Sequence, residues 1–252
     1  MTTRPAIACL ILALFILLLP ACSDDDDPVT PPGPTYDDPV LQALAEEGAI
    51  VAQGLVDVFP GVASGALFTK DAIDPYWDES CTCWRWGFFD EFYGGPGESW
   101  YRGWNFAATF YKDDVPQMDP EGADRVSLQI NYSATESSYT DEMNNIYRDF
   151  SVNLAAEITM LSEGVFEING SGTGALTSYA MNDGVPSEIF EEFTSSLYMT
   201  YPLGQCPTGM LTLDFDPASF SVSFHNEGVA YWEYQVGPGE PTTGNFNLTC
   251  GD

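Results

Sequence analysis

Positive charge is what this 252-residue chain has least of: 7 Lys plus Arg stand against 38 Asp plus Glu, for a net charge of −31. Binding a nucleic-acid backbone relies on clustered cations that displace counterions. Beyond Arg4 the cations are scattered at Lys70, Arg85, Arg102, Lys112, Arg125 and Arg148. Nucleic acid is thereby excluded as a partner, and anionic lipid surfaces are disfavoured on the same ground. Such acidity fits a saline habitat, where salt screens self-repulsion. Histidine is nearly missing too. His225 stands alone, which removes most metal clusters and leaves one imidazole for any mechanism that needs one. It lies between Phe224 and Asn226 at an expected hairpin end, where an exposed turn residue is the reading, and no motif supplies the nucleophile and third group of a triad. The segment Gly61-Val62-Ala63-Ser64-Gly65 lacks the spacing of a nucleophile elbow, and Gly170-Ser171-Gly172-Thr173-Gly174 lacks the lysine of a phosphate loop. No residue is assigned a catalytic role.

Nor is there an apolar run long enough for a spanning helix, which takes about 20 residues. The longest uncharged greasy stretch, Ala6 to Leu19, follows Arg4 and ends in Leu19-Pro20-Ala21-Cys22. A charged start, an apolar middle and a small residue before a cut describe a signal peptide. The tetrapeptide resembles the lipobox of bacterial lipoproteins. That resemblance implies cleavage before Cys22, acylation of its thiol, and a durable membrane tether, because several acyl chains hold where one holds marginally. The expected organisation is a signal peptide over 1–21, a tether over 22–36 and one β-rich domain over 37–252. The tether, Ser23 and Asp24 to Asp27 followed by a Pro-rich run, is too polar to bury a core. Its Ser-plus-acidic leader resembles the surface-export signal of some Gram-negative lipoproteins, which implies an outer-membrane and surface-exposed location. Removing the signal peptide costs one cation and no acid, taking the net charge from −31 to −32.

The whole chain is 44% hydrophobic and 14% aromatic, and the length left after the tether is enough for one substantial core. Residues 38–58 carry the helix signal: Asp38 as N-cap, Pro39 at the first helical position, and Leu41, Leu44, Ala45, Val51, Leu55 and Val56 along one stripe, ending before Pro60-Gly61. The rest alternates with period two between turn signals. Val126, Leu128, Ile130 and Tyr132 share a face, as do Phe150, Val152, Leu154, Ala156, Ile158 and Met160, and the pattern recurs at Leu211-Leu213-Phe215, Phe220-Val222-Phe224 and Phe246-Leu248. Residues 186–193 read as a short helix or a strand. The expectation is a mostly β fold, an antiparallel meander of about nine or ten strands closed as a barrel or two-layer sandwich after one N-terminal helix. Calycin-type barrels resemble this architecture, although the Gly-x-Trp signature of lipocalins is absent from the first strands.

Four cysteines fall in the domain: Cys81, Cys83, Cys206 and Cys250. In an oxidising envelope an even count points to disulfides. A bond within Cys81-Thr82-Cys83 is expected to be strained, so each of these is expected to pair with Cys206 or Cys250, closing long loops at about 4 to 5 kcal/mol each. A four-thiolate zinc site is the alternative. Acidic clusters such as Asp113-Asp114, Asp119-Pro120-Glu121 and Asp214-Phe215-Asp216 offer oxygen ligands for a structural calcium ion without matching the twelve-residue calcium loop; no other cofactor is expected.

The densest feature is residues 76–111, with Trp77, Trp84, Trp86, Trp100 and Trp104. Period two places Trp84, Trp86 and Phe88 on one face, and Trp100, Arg102, Trp104 and Phe106 on another. Pointing inward, the second face forms an aromatic core in which Arg102 must be paired or stacked. Pointing outward, Trp84, Trp86, Trp100, Arg102 and Trp104 form a binding platform for a sugar or apolar ligand. The functional expectation is a lipid-anchored, non-enzymatic envelope protein that binds a small apolar or glycan ligand or a surface protein partner. The alternatives are a secreted carboxylate-dependent glycoside hydrolase and an outer-membrane β-barrel.

Overall fold

The computed structural model describes residues 39–63, 73–93, 97–141, 144–182 and 184–250. The expected signal peptide, Cys22, the expected tether and the expected Asp38 cap lie outside the described residues. One helix, α1 (Pro39–Ala63), precedes β1 (Ile73–Asp78), β2 (Cys83–Tyr93), β3 (Glu98–Lys112), β4 (Val115–Gln117), β5 (Arg125–Asp141), β6 (Asn144–Ser162), β7 (Val165–Asn182), β8 (Val185–Pro202), β9 (Thr208–Phe215), β10 (Ala218–His225), β11 (Val229–Val236) and β12 (Thr242–Asn247). All strand pairs are antiparallel and sequential, except that β4 hangs on β3 and β3 pairs onward with β5. The fold is thus the mostly β meander expected, with twelve strands in one open sheet among the described residues. Residues 186–193 are strand, inside β8.

Alternation builds the core. Leu128, Ile130 and Tyr132 on β5, Phe150, Val152 and Leu154 on β6, and Phe220, Val222 and Phe224 on β10 are buried, while Met160 is exposed. The buried face is concave and curls around α1. Gly48 sits against Phe220 of β10, and Gly54 lies so close to Trp104 of β3 that a Cβ would overlap the indole. Gln53 exchanges two hydrogen bonds with the Thr249 backbone, 3.0 and 3.1 Å, just past β12. One helix therefore touches β3, β10 and the segment that follows β12. A helix surrounded this way must be apolar on most sides, and Ala43, Leu44, Ala52, Leu55, Val58 and Phe59 are all buried. The single stripe expected from sequence is too narrow for that. The helix also runs through Pro60 to Ala63. Phe59 and Val62 are buried on either side of the proline, and each such side chain contributes roughly 1.5–3 kcal/mol, comparable to what an interior proline costs.

The disulfides are Cys81–Cys83 and Cys206–Cys250, which corrects the expected crosswise pairing. The ladder order explains it. Cys81 and Cys83 belong to the β1–β2 hairpin at one sheet edge, whereas Cys250 follows β12 at the other. Thr82 adopts the left-handed region, φ 54°, turning the chain so that its two neighbours meet. Only Cys206–Cys250, 44 residues apart, closes a long loop, at about 4 kcal/mol by chain entropy, against under about 2 kcal/mol for the short one.

Candidate functional site: the outer face of the sheet

Strands β2 and β3 turn the tryptophans mainly inward. Trp86 and Trp104 are 5% and 4% exposed, stacked with Phe106 at ring separations of 5.2 and 5.8 Å. Trp104 also meets Tyr132 at 4.5 Å. Trp84 is half-buried, its indole N–H donating to the Met118 carbonyl at 2.8 Å. Arg102 lies 4.9 Å over the half-buried Trp100 ring and donates to Glu47 at 3.0 Å. The other Glu47 oxygen accepts from the Tyr132 hydroxyl. Burial opposes the Arg102 charge, yet Glu47 more than offsets it and raises the guanidinium pKa. Burial, reinforced by the Glu47 charge, lifts the Tyr132 phenol far above its ordinary range. Arg148 on β6 bonds Glu46 and Glu136 at 3.1 and 3.2 Å. These two arginines fasten the first half of α1 inside the sheet, and Arg102 spends its charge on the helix.

The opposite face carries a different pattern. Residues alternating with the core form straight rows across the strands, because every pair is directly in register. One row runs Asn105, Asn131 and Asn153 on β3, β5 and β6, then Thr173 and Thr194 on β7 and β8, then Asp214, Ser219 and Gln235 on β9 to β11. With neighbouring strands about 4.8 Å apart, it extends for roughly 34 Å. The next row holds Gln129, Ser171, Ser196, Thr212, Ser221 and Thr243, interrupted only by Ala107, Ala155 and Glu233. Between β3 and β11 these two rows contain two carboxylates, Asp214 and Glu233, and no cation.

Relief on this face comes from side-chain size. Ser219, Ser221 and Ser223 on β10 are short, while Met210 and Thr212 on β9 and Tyr231 and Glu233 on β11 stand beside them. A shallow cavity of about 630 Å³ is lined by Ser221, Ser223, Tyr231, Glu233, Thr243 and Asn245. Others of about 430 and 530 Å³ share Asp214 and continue past Ser219 and Gln235 on one side and Asn153, Thr173 and Thr194 on the other. Tyr231 is half-exposed in the first cavity, and Tyr198, also half-exposed, lies opposite Met210 in the ladder. His225, exposed at the end of β10, packs its ring edgewise on Tyr231 at 5.0 Å. No protein-family model, curated protein or solved structure matches this chain. The site is therefore defined by its geometry.

Chemically the face is an array of amides and hydroxyls, each able to donate and accept, beside aromatic rings that can cover apolar C–H surface. Among the described residues no group of three or more His, Cys, Asp or Glu is placed to hold a metal ion. The Gly170–Gly174 segment lies within β7, where a Cβ on Gly172 or Gly174 would strike the neighbouring β6 backbone. In 219–224 the apolar half of the alternation marks a strand. The polar half, Ser219, Ser221 and Ser223, joins the other strands' polar residues only across the ladder, so the row is not legible along the chain.

Proposed function

We propose that this chain is a lipid-anchored protein of a bacterial cell envelope, exported and acylated on Cys22, whose outer sheet face binds a neutral glycan laid across the strands. The row from Asn105 to Gln235 carries this reading. A net charge of −31 repels polyanions at range, and the rows hold no cation to receive one. Cationic partners are drawn to the carboxylates elsewhere on the surface rather than to this sparsely charged strip. An uncharged polyol matches what is left: many hydrogen-bonding groups, few charges, and half-exposed tyrosines for stacking. Nothing in the binding role requires bond cleavage.

The test is calorimetric titration of the full acylated chain in detergent with neutral oligosaccharides, beside uronic-acid oligomers as the charged control. Neutral chains are expected to bind and uronic acids to fail. Tyr231→Ala, which removes a stacking ring worth about 1 kcal/mol, is expected to weaken binding about fivefold. Thr194→Lys, which raises a long side chain in the middle of the row, is expected to weaken it more. Equal binding by both variants and wild type would move the site off this face. Membrane retention checks the anchor: Cys22→Ala is expected to release the chain from the membrane fraction.

A further inference from the structure

We propose that the Cys81–Cys83 disulfide is a thiol-exchange site that accepts electrons from an external dithiol, while Cys206–Cys250 is a fixed brace. The inference is independent of the glycan reading. Cys81 is exposed and Cys83 is 3% exposed, so an incoming thiolate reaches one sulfur and not the other. Thr82 between them is β-branched at φ 54°, a region that β-branched residues avoid. The short ring that holds it there is thus opposed by the backbone it encloses. Opening the bond also leaves the hairpin supported. Asp78 accepts from the Ser80 hydroxyl at 2.6 Å and from Arg85 Nε at 2.7 Å, and the Trp77 and Trp84 rings meet edgewise at 5.8 Å. Exposed or strained bridges are the ones that exchange.

The chemistry balances without a further reagent. A donor thiolate forms a bond to Cys81 Sγ as the Cys81–Cys83 bond breaks, and the electron pair departs on Cys83, which takes up a proton. The donor's second thiolate then attacks the donor sulfur of this mixed disulfide and releases Cys81. Two electrons and two protons have moved from the dithiol to the chain, and the dithiol has become a disulfide. Against a monothiol, shielded Cys83 closes back onto Cys81 and expels the adduct, which makes it the resolving sulfur.

The test equilibrates the full chain in detergent with glutathione buffers of graded ratio, quenches with acid, and reads each cysteine by differential alkylation and mass spectrometry. Cys81–Cys83 is expected to half-reduce at a reducing ratio at least tenfold milder than Cys206–Cys250, with circular dichroism unchanged. Thr82→Gly, which removes the left-handed penalty, is expected to make the bond harder to reduce by roughly tenfold. In Cys83→Ser, glutathione is expected to accumulate on Cys81, while Cys81→Ser gives at least tenfold slower adduct formation on Cys83. Joint reduction of both bridges in the wild type, or reduction only as the fold is lost, overturns the proposal whether or not the variants fold.

Discussion

At Glu47, 3% exposed, a carboxylate accepts from both Arg102 and Tyr132. Alternation along β3 already requires a partner for Arg102, since it shares a face with Trp104 and Phe106. The partner's identity is not legible in the sequence: Glu47 is 55 residues away and looks like one more acid on a helix. The pair makes a pH prediction. Burial and Glu47 keep the Tyr132 phenol protonated in the folded chain well above the ordinary value of about 10. The unfolded chain gives up that proton above about pH 10, so the stability linked to Tyr132 is intact below that pH and is lost as pH climbs beyond it. Tyr132→Phe is expected to cost about 2 kcal/mol at neutral pH, by removing a hydrogen bond to a buried charge. It should also flatten the loss of stability between about pH 9 and pH 11. Urea denaturation across that range checks both, and an alkaline slope equal to wild type would contradict the assignment.

Among the elements, period-two alternation made the long strands legible, because each has one buried face and one face toward water. The count rose to twelve because β1 and β4 are short edge or side strands with little apolar periodicity of their own. Curling was less legible, since it depends on what fills the concavity. Gly54 shows how tight that filling is. Alanine in place of glycine ordinarily favours a helix by about 1 kcal/mol, yet here its Cβ would fall within the Trp104 indole, and overpacking costs about 1–3 kcal/mol. With Trp104 held by Phe106 and Tyr132, packing outweighs propensity. Gly54→Ala is expected to be net destabilising by about 1–2 kcal/mol and to lower the melting temperature by about 2–8 °C; a higher melting temperature would mean the sheet yields at β3.

For the whole molecule, a net charge of −31 disfavours polyanionic partners, and the same acidity gives the outer rows their meaning. In a chain with 38 carboxylates, two rows spanning β3 to β11 hold only two. The aromatic strands are legible in the sequence because tryptophan density is visible along the chain. They fill the core and fasten the helix, whereas the amide and hydroxyl row is spread over residues 105 to 235 and becomes a surface only once eight strands are in register. The most direct measurement is the affinity of the full chain for a length series of one neutral oligosaccharide, compared between wild type and Thr194→Lys. Binding across the strands predicts affinity that climbs with length until the glycan spans the row and then levels off, with the lysine variant losing the dependence on length. Affinity that is independent of length, or a length dependence that Thr194→Lys leaves intact, would contradict it.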